Sequence, residues 1–149
     1  MLALDKSRLP EAVRSSIAGF IGLAGPYDFL PFTEDYEPAL FGPEKNYPAS
    51  QPVNYISGHD VPMLLLYGNE DSRVKPINIE SLTRIARQAG DDVESHRYNG
   101  IDHPGILAAL SRPLRDNKPV MADIARFINR AMKSDKVLYQ KQPEFSPAI

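Results

Sequence analysis

Pro62-Met63-Leu64-Leu65-Leu66-Tyr67-Gly68-Asn69-Glu70-Asp71-Ser72-Arg73-Val74 is the stretch from which the fold can be read. Its apolar or aromatic residues, Met63 to Tyr67, run unbroken between Pro62 and Gly68. An apolar run of strand length without polar alternation marks a strand buried on both faces, as in a parallel sheet covered by helices. In open parallel sheets, ligands and reacting groups gather beyond the carboxyl ends of the strands. Asp71, in the acidic loop after this run, therefore stands where chemistry is done.

Downstream, Pro76 and Asn78 open a helix whose apolar face is Ile79, Leu82, Ile85, Ala86 and Ala89, close to 3.6 periodicity, and Gly90 suits a left-handed cap. Asp92 to Tyr98 reads as the next strand, with Val93, Ser95 and Arg97 on one face and Glu94, His96 and Tyr98 on the other. So mixed a pattern suits a sheet edge. Gly100-Ile101-Asp102-His103-Pro104-Gly105 is again a loop at a strand's carboxyl end. A right-handed crossover sets the two loops side by side, so that Asp71 and His103 can form a carboxylate–imidazole pair. His96 lies within a strand and His59 at the amino end of one; neither position suits catalysis. Pro104 fits a first helical position, and Ile106, Leu107 and Leu110 predict a short amphipathic turn. A second helix is expected from Pro119, with the stripe Val120, Ile124, Phe127, Ile128 and Ala131 covering the sheet. From Lys133 the pattern dissolves, so residues 134–149 are expected to form a mobile tail.

Upstream, Ile17 to Leu23 is a glycine-interrupted apolar run suited to a central strand, and Pro26-Tyr27-Asp28 turns the chain over the sheet's carboxyl edge. The first reading of Asp28 is an Asx-type turn. Prolines at 31, 38, 43, 48 and 52 restrict Phe29 to Asp60 to short helices, one capped by Thr33 and ending near Gly42. The aromatics Phe29, Phe32, Tyr36, Phe41, Tyr47 and Tyr55 either wall a pocket or pin this excursion to the core. Leu2 to Leu9 is expected to hold a short helical remnant, and Glu11 to Ser16 a polar connection.

Taken in order, these features resemble the C-terminal half of an α/β-hydrolase, in particular the esterase, lipase and arylformamidase-like branch. Gly19 to Asp28 is similar to the family's sixth strand and following turn, Pro62 to Val74 to the strand and loop of the triad acid, and Ile106 to Ile128 to the closing helices. The resemblance runs from Ile17 to about Met132. It implies an α/β fold over residues 1–133, with a mostly parallel sheet of about three strands flanked by helices and residues 29–60 as a cap or pocket excursion. It implies Asp71 as triad acid, His103 as triad base, and Tyr27 and Asp28 at the substrate pocket. No serine has glycine two positions before and two after it, and no HGGG-type run is present. Met1-Leu2-Ala3-Leu4-Asp5 is similar to the middle of the helix that follows the nucleophile elbow. The expectation is thus a carboxylic-ester or arylamide hydrolase whose serine lies upstream of residue 1. The competing expectations are a non-catalytic binding or regulatory half-fold and a gene remnant.

At 149 residues the chain has one domain's length, roughly half that of a complete hydrolase of this kind. Its 42% hydrophobic and 24% charged residues exclude a wholly disordered chain. A net charge of −2 gives no electrostatic footprint for nucleic acid or an anionic membrane. Without cysteine there is no disulfide, thiol catalysis or thiolate metal site, and no phosphate-cradling loop or paired-histidine spacing implies a metal or nucleotide cofactor. No apolar run could span a bilayer. Met1 to Ala12 does not read as a signal peptide, which favours the cytoplasm slightly, though an upstream signal is compatible with everything above. The expected partners are a small ester or amide substrate and either a second copy of the chain or a complementing N-terminal half.

Overall fold

The computed structural model of the chain describes residues 3–114 and 119–140, the last seven of these as backbone only. Three strands, β1 (Phe20–Leu23), β2 (Met63–Gly68) and β3 (Val93–Tyr98), form one parallel sheet in the order β1-β2-β3. Met63 pairs with Phe20 on one side and Val93 on the other, so β2 is central. Every residue of β2 is buried, as its unbroken apolar run requires.

Alternation along β2 divides the core in two. Met63, Leu65 and Tyr67 pack with Ile79, Leu82 and Ala86 of α4 (Ile77–Ala89) and with Tyr27 and Val53. Leu64 and Leu66 pack on the other face with Ile106 of α5 (His103–Ala108) and with Val120, Ile124 and Phe127 of α6 (Val120–Gln140). Burial of each such side chain contributes roughly 1.5–3 kcal/mol. Gly90 ends α4 at φ 94°, a left-handed value that glycine adopts without a Cβ clash. The connection from β1 to β2 carries only short helices: α2 (Glu37–Phe41), α3 (Tyr47–Ser50) and the 3-10 turns Glu44–Asn46 and Pro52–Tyr55.

Several local expectations are corrected. Residues 3–9 form turns rather than a helical remnant, because the Asp5 carboxylate accepts bonds from the Ser7 N–H, the Ser7 hydroxyl and Arg8, an Asx geometry that competes with helix. The helix near the start is instead α1 (Glu11–Arg14), in what read as polar connection. Thr33 caps nothing: its N–H and that of Glu34 donate to the Glu37 carboxylate, and α2 begins only there before ending at Gly42. In α5 the buried residue is Ile106 and Leu107 is exposed; just beyond the helix Ala109 is buried and Leu110 exposed. Ile128 likewise lies outside the α6 stripe, at 41% exposure. Helical backbone continues to Gln140, beyond Lys133; residues 141–149, where the rest of the expected tail falls, lie outside the described residues.

Candidate active site

β2 and β3 lie side by side and run the same way, so the loops after Gly68 and Tyr98 leave the sheet at one edge. The N–H of Asn69 donates to the Tyr98 carbonyl and that of Glu70 to the Ile101 carbonyl, binding the loops together before either reaches its polar side chain. Gly68 permits this approach. A Cβ there would lie 2.2 Å from the Ile101 carbonyl oxygen, well inside contact distance.

Asp71 and His103 meet above this seam, with Asp71 Oδ2 2.8 Å from His103 Nδ1. The other carboxylate oxygen, Oδ1, accepts the N–H groups of Arg73 at 2.8 Å and Val74 at 2.9 Å, so a tight Asx turn holds the acid. Its side chain is fully buried and that of His103 is 26% exposed. Burial pushes the Asp71 carboxyl up, but the Val74 N–H, the His103 ring and the Arg73 N–H outweigh it and hold the group below its usual value of 3.8. Asp71 is therefore ionised at neutral pH. A carboxylate only accepts, so Nδ1 of His103 must carry the proton it donates, and in the neutral ring this leaves Nε2 as the basic nitrogen.

Tyr67, 1% exposed, holds the Asp71 loop from beneath. Its hydroxyl donates to the Val74 carbonyl at 2.7 Å and lies 3.4 Å from that of Asp71. His103 opens α5, where the side chain of Asp102 caps the helix by accepting the Gly105 N–H. The histidine is thus fixed by a cap on one side and a carboxylate on the other.

Asp28 and Tyr27 part company. Asp28 lines a cavity of about 490 Å³ with Phe29, Leu40 and Phe41 on one wall and Arg73, Val74 and Lys75 on the other. Neither Asp71 nor His103 lines it; its wall is made by the residues that follow Asp71. Tyr27 is turned into the core, 6% exposed, its hydroxyl making no well-formed hydrogen bond among the described residues, and burial, outweighing the nearby Gly25 backbone, pushes its phenol up to about 12. The turn they share rests on Asn78 rather than on an Asx turn of Asp28: one buried amide oxygen accepts the N–H of Tyr27 at 2.7 Å and of Asp28 at 2.8 Å. Buried Gln51 does the same for the Phe29 N–H at 2.7 Å. Sequence reasoning missed Tyr67, Gln51 and the bracing role of Asn78. For Asn78 a signal existed, a polar residue beside Ile79 on the apolar side of α4.

His96 pairs with Glu94 on β3, 2.7 Å apart, and His59 is exposed; neither is drawn to Asp71. Among the described residues no group of three or more His, Asp or Glu side chains could hold a metal ion, and no helix is long and apolar enough to cross a membrane.

A parallel sheet flanked by helices, with an acid and a histidine joined over consecutive strand ends, has the architecture of part of an α/β-hydrolase fold. The model of the prolyl oligopeptidase family matches residues 15–135, and the chain belongs to that family. Among solved structures, the chain is similar to an esterase of Thermogutta terrifontis with propionate bound, at 17% identity and a TM-score of 0.58, over 85% of this chain and 47% of that one. A truncated carbohydrate esterase from gut microbiota gives 16% identity and a TM-score of 0.61 over 77% and 42%. A puromycin-hydrolyzing peptidase of Mycobacterium tuberculosis gives 24% and 0.50 over 57% and 15%. Likeness at these identities carries the fold alone. The chain spans about half the length of the first two. A search of curated proteins found no match.

Proposed function

We propose that this chain is the acid–base portion of a serine hydrolase that cleaves carboxylic esters or arylamides. The observation that carries the reading is the Asp71 to His103 contact of 2.8 Å at adjacent strand ends, with the acid buried and multiply bonded and the ring partly open. In this reading a serine from polypeptide outside these 149 residues attacks the carbonyl carbon. Nε2 of His103 takes the serine proton, then delivers it to the departing alcohol or amine. Asp71 holds the ring in the tautomer that leaves Nε2 bare and stabilises the imidazolium once formed. Water then releases the acyl group by the same steps in reverse. The Asp28 cavity, adjoining the Asp71 loop, receives a non-reacting part of the substrate. Membership of the prolyl oligopeptidase family adds peptide amides to the bonds worth testing.

The DNA ahead of Met1 tests the proposal. An in-frame Gly-x-Ser-x-Gly is expected, and the extended protein should hydrolyse members of an ester and formamide panel, with activity blocked by a fluorophosphonate. The 149-residue chain alone should hydrolyse activated esters no faster than free imidazole. Fluorophosphonate-sensitive turnover by that chain would reveal a nucleophile within it, and Ser72 would be examined first.

A second reading, a binding or regulatory half-fold completed by another chain, draws support from β1, whose outer edge pairs with no strand among the described residues. It is favoured if no upstream serine motif exists and the chain co-purifies with a stoichiometric partner.

A further inference from the structure

Of the asparagines, Asn99 alone precedes a glycine, and it does so in the loop that carries His103. A backbone nitrogen can attack the side-chain carbonyl of the asparagine before it, closing a five-membered imide, and an intramolecular attack of this kind gains from proximity. A side chain on the following residue shields the nitrogen, and glycine brings no side chain. Asn99 and Gly100 form an exposed turn at the end of β3, open to water.

The neighbouring loop supplies the rest of the chemistry. The Glu70 carboxylate accepts the Gly100 N–H at 3.4 Å, so a base stands at the proton that the nitrogen must lose. Asn69 Nδ2 donates to Asn99 Oδ1, the oxygen on which negative charge develops during attack. Both groups are placed by the bonds that join the loops, from the Asn69 N–H to the Tyr98 carbonyl and from the Glu70 N–H to the Ile101 carbonyl. We propose that Asn99 is a self-modifying site whose product parts His103 from Asp71. The Gly100 nitrogen bonds to Cγ of Asn99, its proton passes through Glu70 to Nδ2, and the Cγ–Nδ2 bond breaks, releasing ammonia. Water then opens the imide at either carbonyl, leaving an aspartyl residue or, with the main chain routed through Cγ, an isoaspartyl one. The isoaspartyl link lengthens the main chain by one carbon, about 1.5 Å. That length enters between Tyr98 and Ile101, whose carbonyls are both pinned to the Asp71 loop. Tyr98 belongs to β3, so the Ile101 pin is the one that gives, and His103 lies two residues beyond it. The modification needs no substrate and stands apart from the hydrolase reading.

The isotopically labelled 149-residue chain is incubated for weeks at physiological temperature and pH. Peptide mapping by mass spectrometry follows each asparagine, and methylation by an isoaspartyl methyltransferase counts the isoaspartyl product. Asn99 should convert faster than any other asparagine, by about tenfold or more. Glu70→Gln keeps an acceptor for the Gly100 N–H but cannot take its proton, and should slow Asn99 by about tenfold. In urea, where the loops part, the two chains should convert at one rate. NMR of the aged parent should show the His103 ring no longer held with its proton on Nδ1. Asn99→Gln, which closes no five-membered ring, should keep that form after the same incubation, and freshly prepared Asn99→Asp, which adds charge without length, should keep it too. Conversion spread evenly over the asparagines, an unchanged rate in folded Glu70→Gln, a rate difference that survives urea, or an isoaspartyl chain with the His103 ring undisturbed would overturn the proposal.

Discussion

Asp71 keeps its charge against burial because three donors meet its two oxygens. Its carboxyl lies lower in the folded chain than in the unfolded one, so these bonds add stability that is full well above 3.8 and is lost as pH falls through the folded value. Asp71→Asn should therefore lower unfolding free energy by roughly 1.5–3 kcal/mol near pH 7. In urea titrations repeated at falling pH, the gap from the parent should close below about pH 4; a gap independent of pH would show that the charge contributes nothing. In an extended, active protein the same change should reduce kcat by roughly 10⁴-fold through loss of the correct tautomer. Tyr67→Phe tests the support beneath. Losing the bond to the part-buried Val74 carbonyl should cost about 0.5–1.5 kcal/mol, and the carbon-detected carboxyl signal of Asp71 should titrate higher as its Asx turn loosens. An unmoved Asp71 titration would reduce Tyr67 to a packing residue. Asp71 and His103 were legible as a pair because strand ends are where such groups collect; Tyr67 was not, since an aromatic at the end of an apolar strand reads only as core.

At the scale of elements, an unbroken apolar run located β2; β3 is buried only at its two ends, Val93 and Tyr98; and periodicity located α4, whose Ile79, Leu82 and Ala86 are buried while Ala89 is exposed. It failed on α5, where six residues do not fix the phase of a 3.6-residue repeat, and Leu107 and Leu110 turned outward. It also misassigned the start of the chain, where Asp5 bonds to Ser7 and Arg8 locally. The bracing of the turn after β1 was hidden for another reason. Asn78 and Tyr27 are 51 positions apart, and no local pattern announces an amide that will satisfy a distant backbone. Asn78→Ala should accordingly cost about 1–3 kcal/mol, as much as many core truncations, by leaving the N–H groups of Tyr27 and Asp28 unpaired. Thermal unfolding measures this, and Ser81→Ala on the same helix is the control. Equal, small losses in both would show that the amide is replaced by water.

For the molecule as a whole, the outer edge of β1 governs behaviour in solution. Phe20 and Ala24 direct their N–H groups to β2, and in a parallel strand the alternate groups, those of Ile21 and Leu23, point the other way, where no described strand receives them. Beside that edge Ala18, Gly19 and Ile21 face Phe127, Ile128, Ala131 and Met132 around a shallow hollow of about 180 Å³, with Ile128 at 41% and Met132 at 53% exposure. An unpaired edge flanked by apolar side chains is a template for association. The 149-residue chain should therefore show a light-scattering mass that rises with concentration. Ile128→Lys together with Met132→Lys should lower that mass without lowering the melting temperature, since both side chains already reach solvent. Salt separates the contributions: screening the added lysines should restore part of the association if the apolar hollow drives it. A monomer mass independent of concentration in the parent chain would mean that this edge is protected, and the case for a complementing polypeptide on β1 would fall with it.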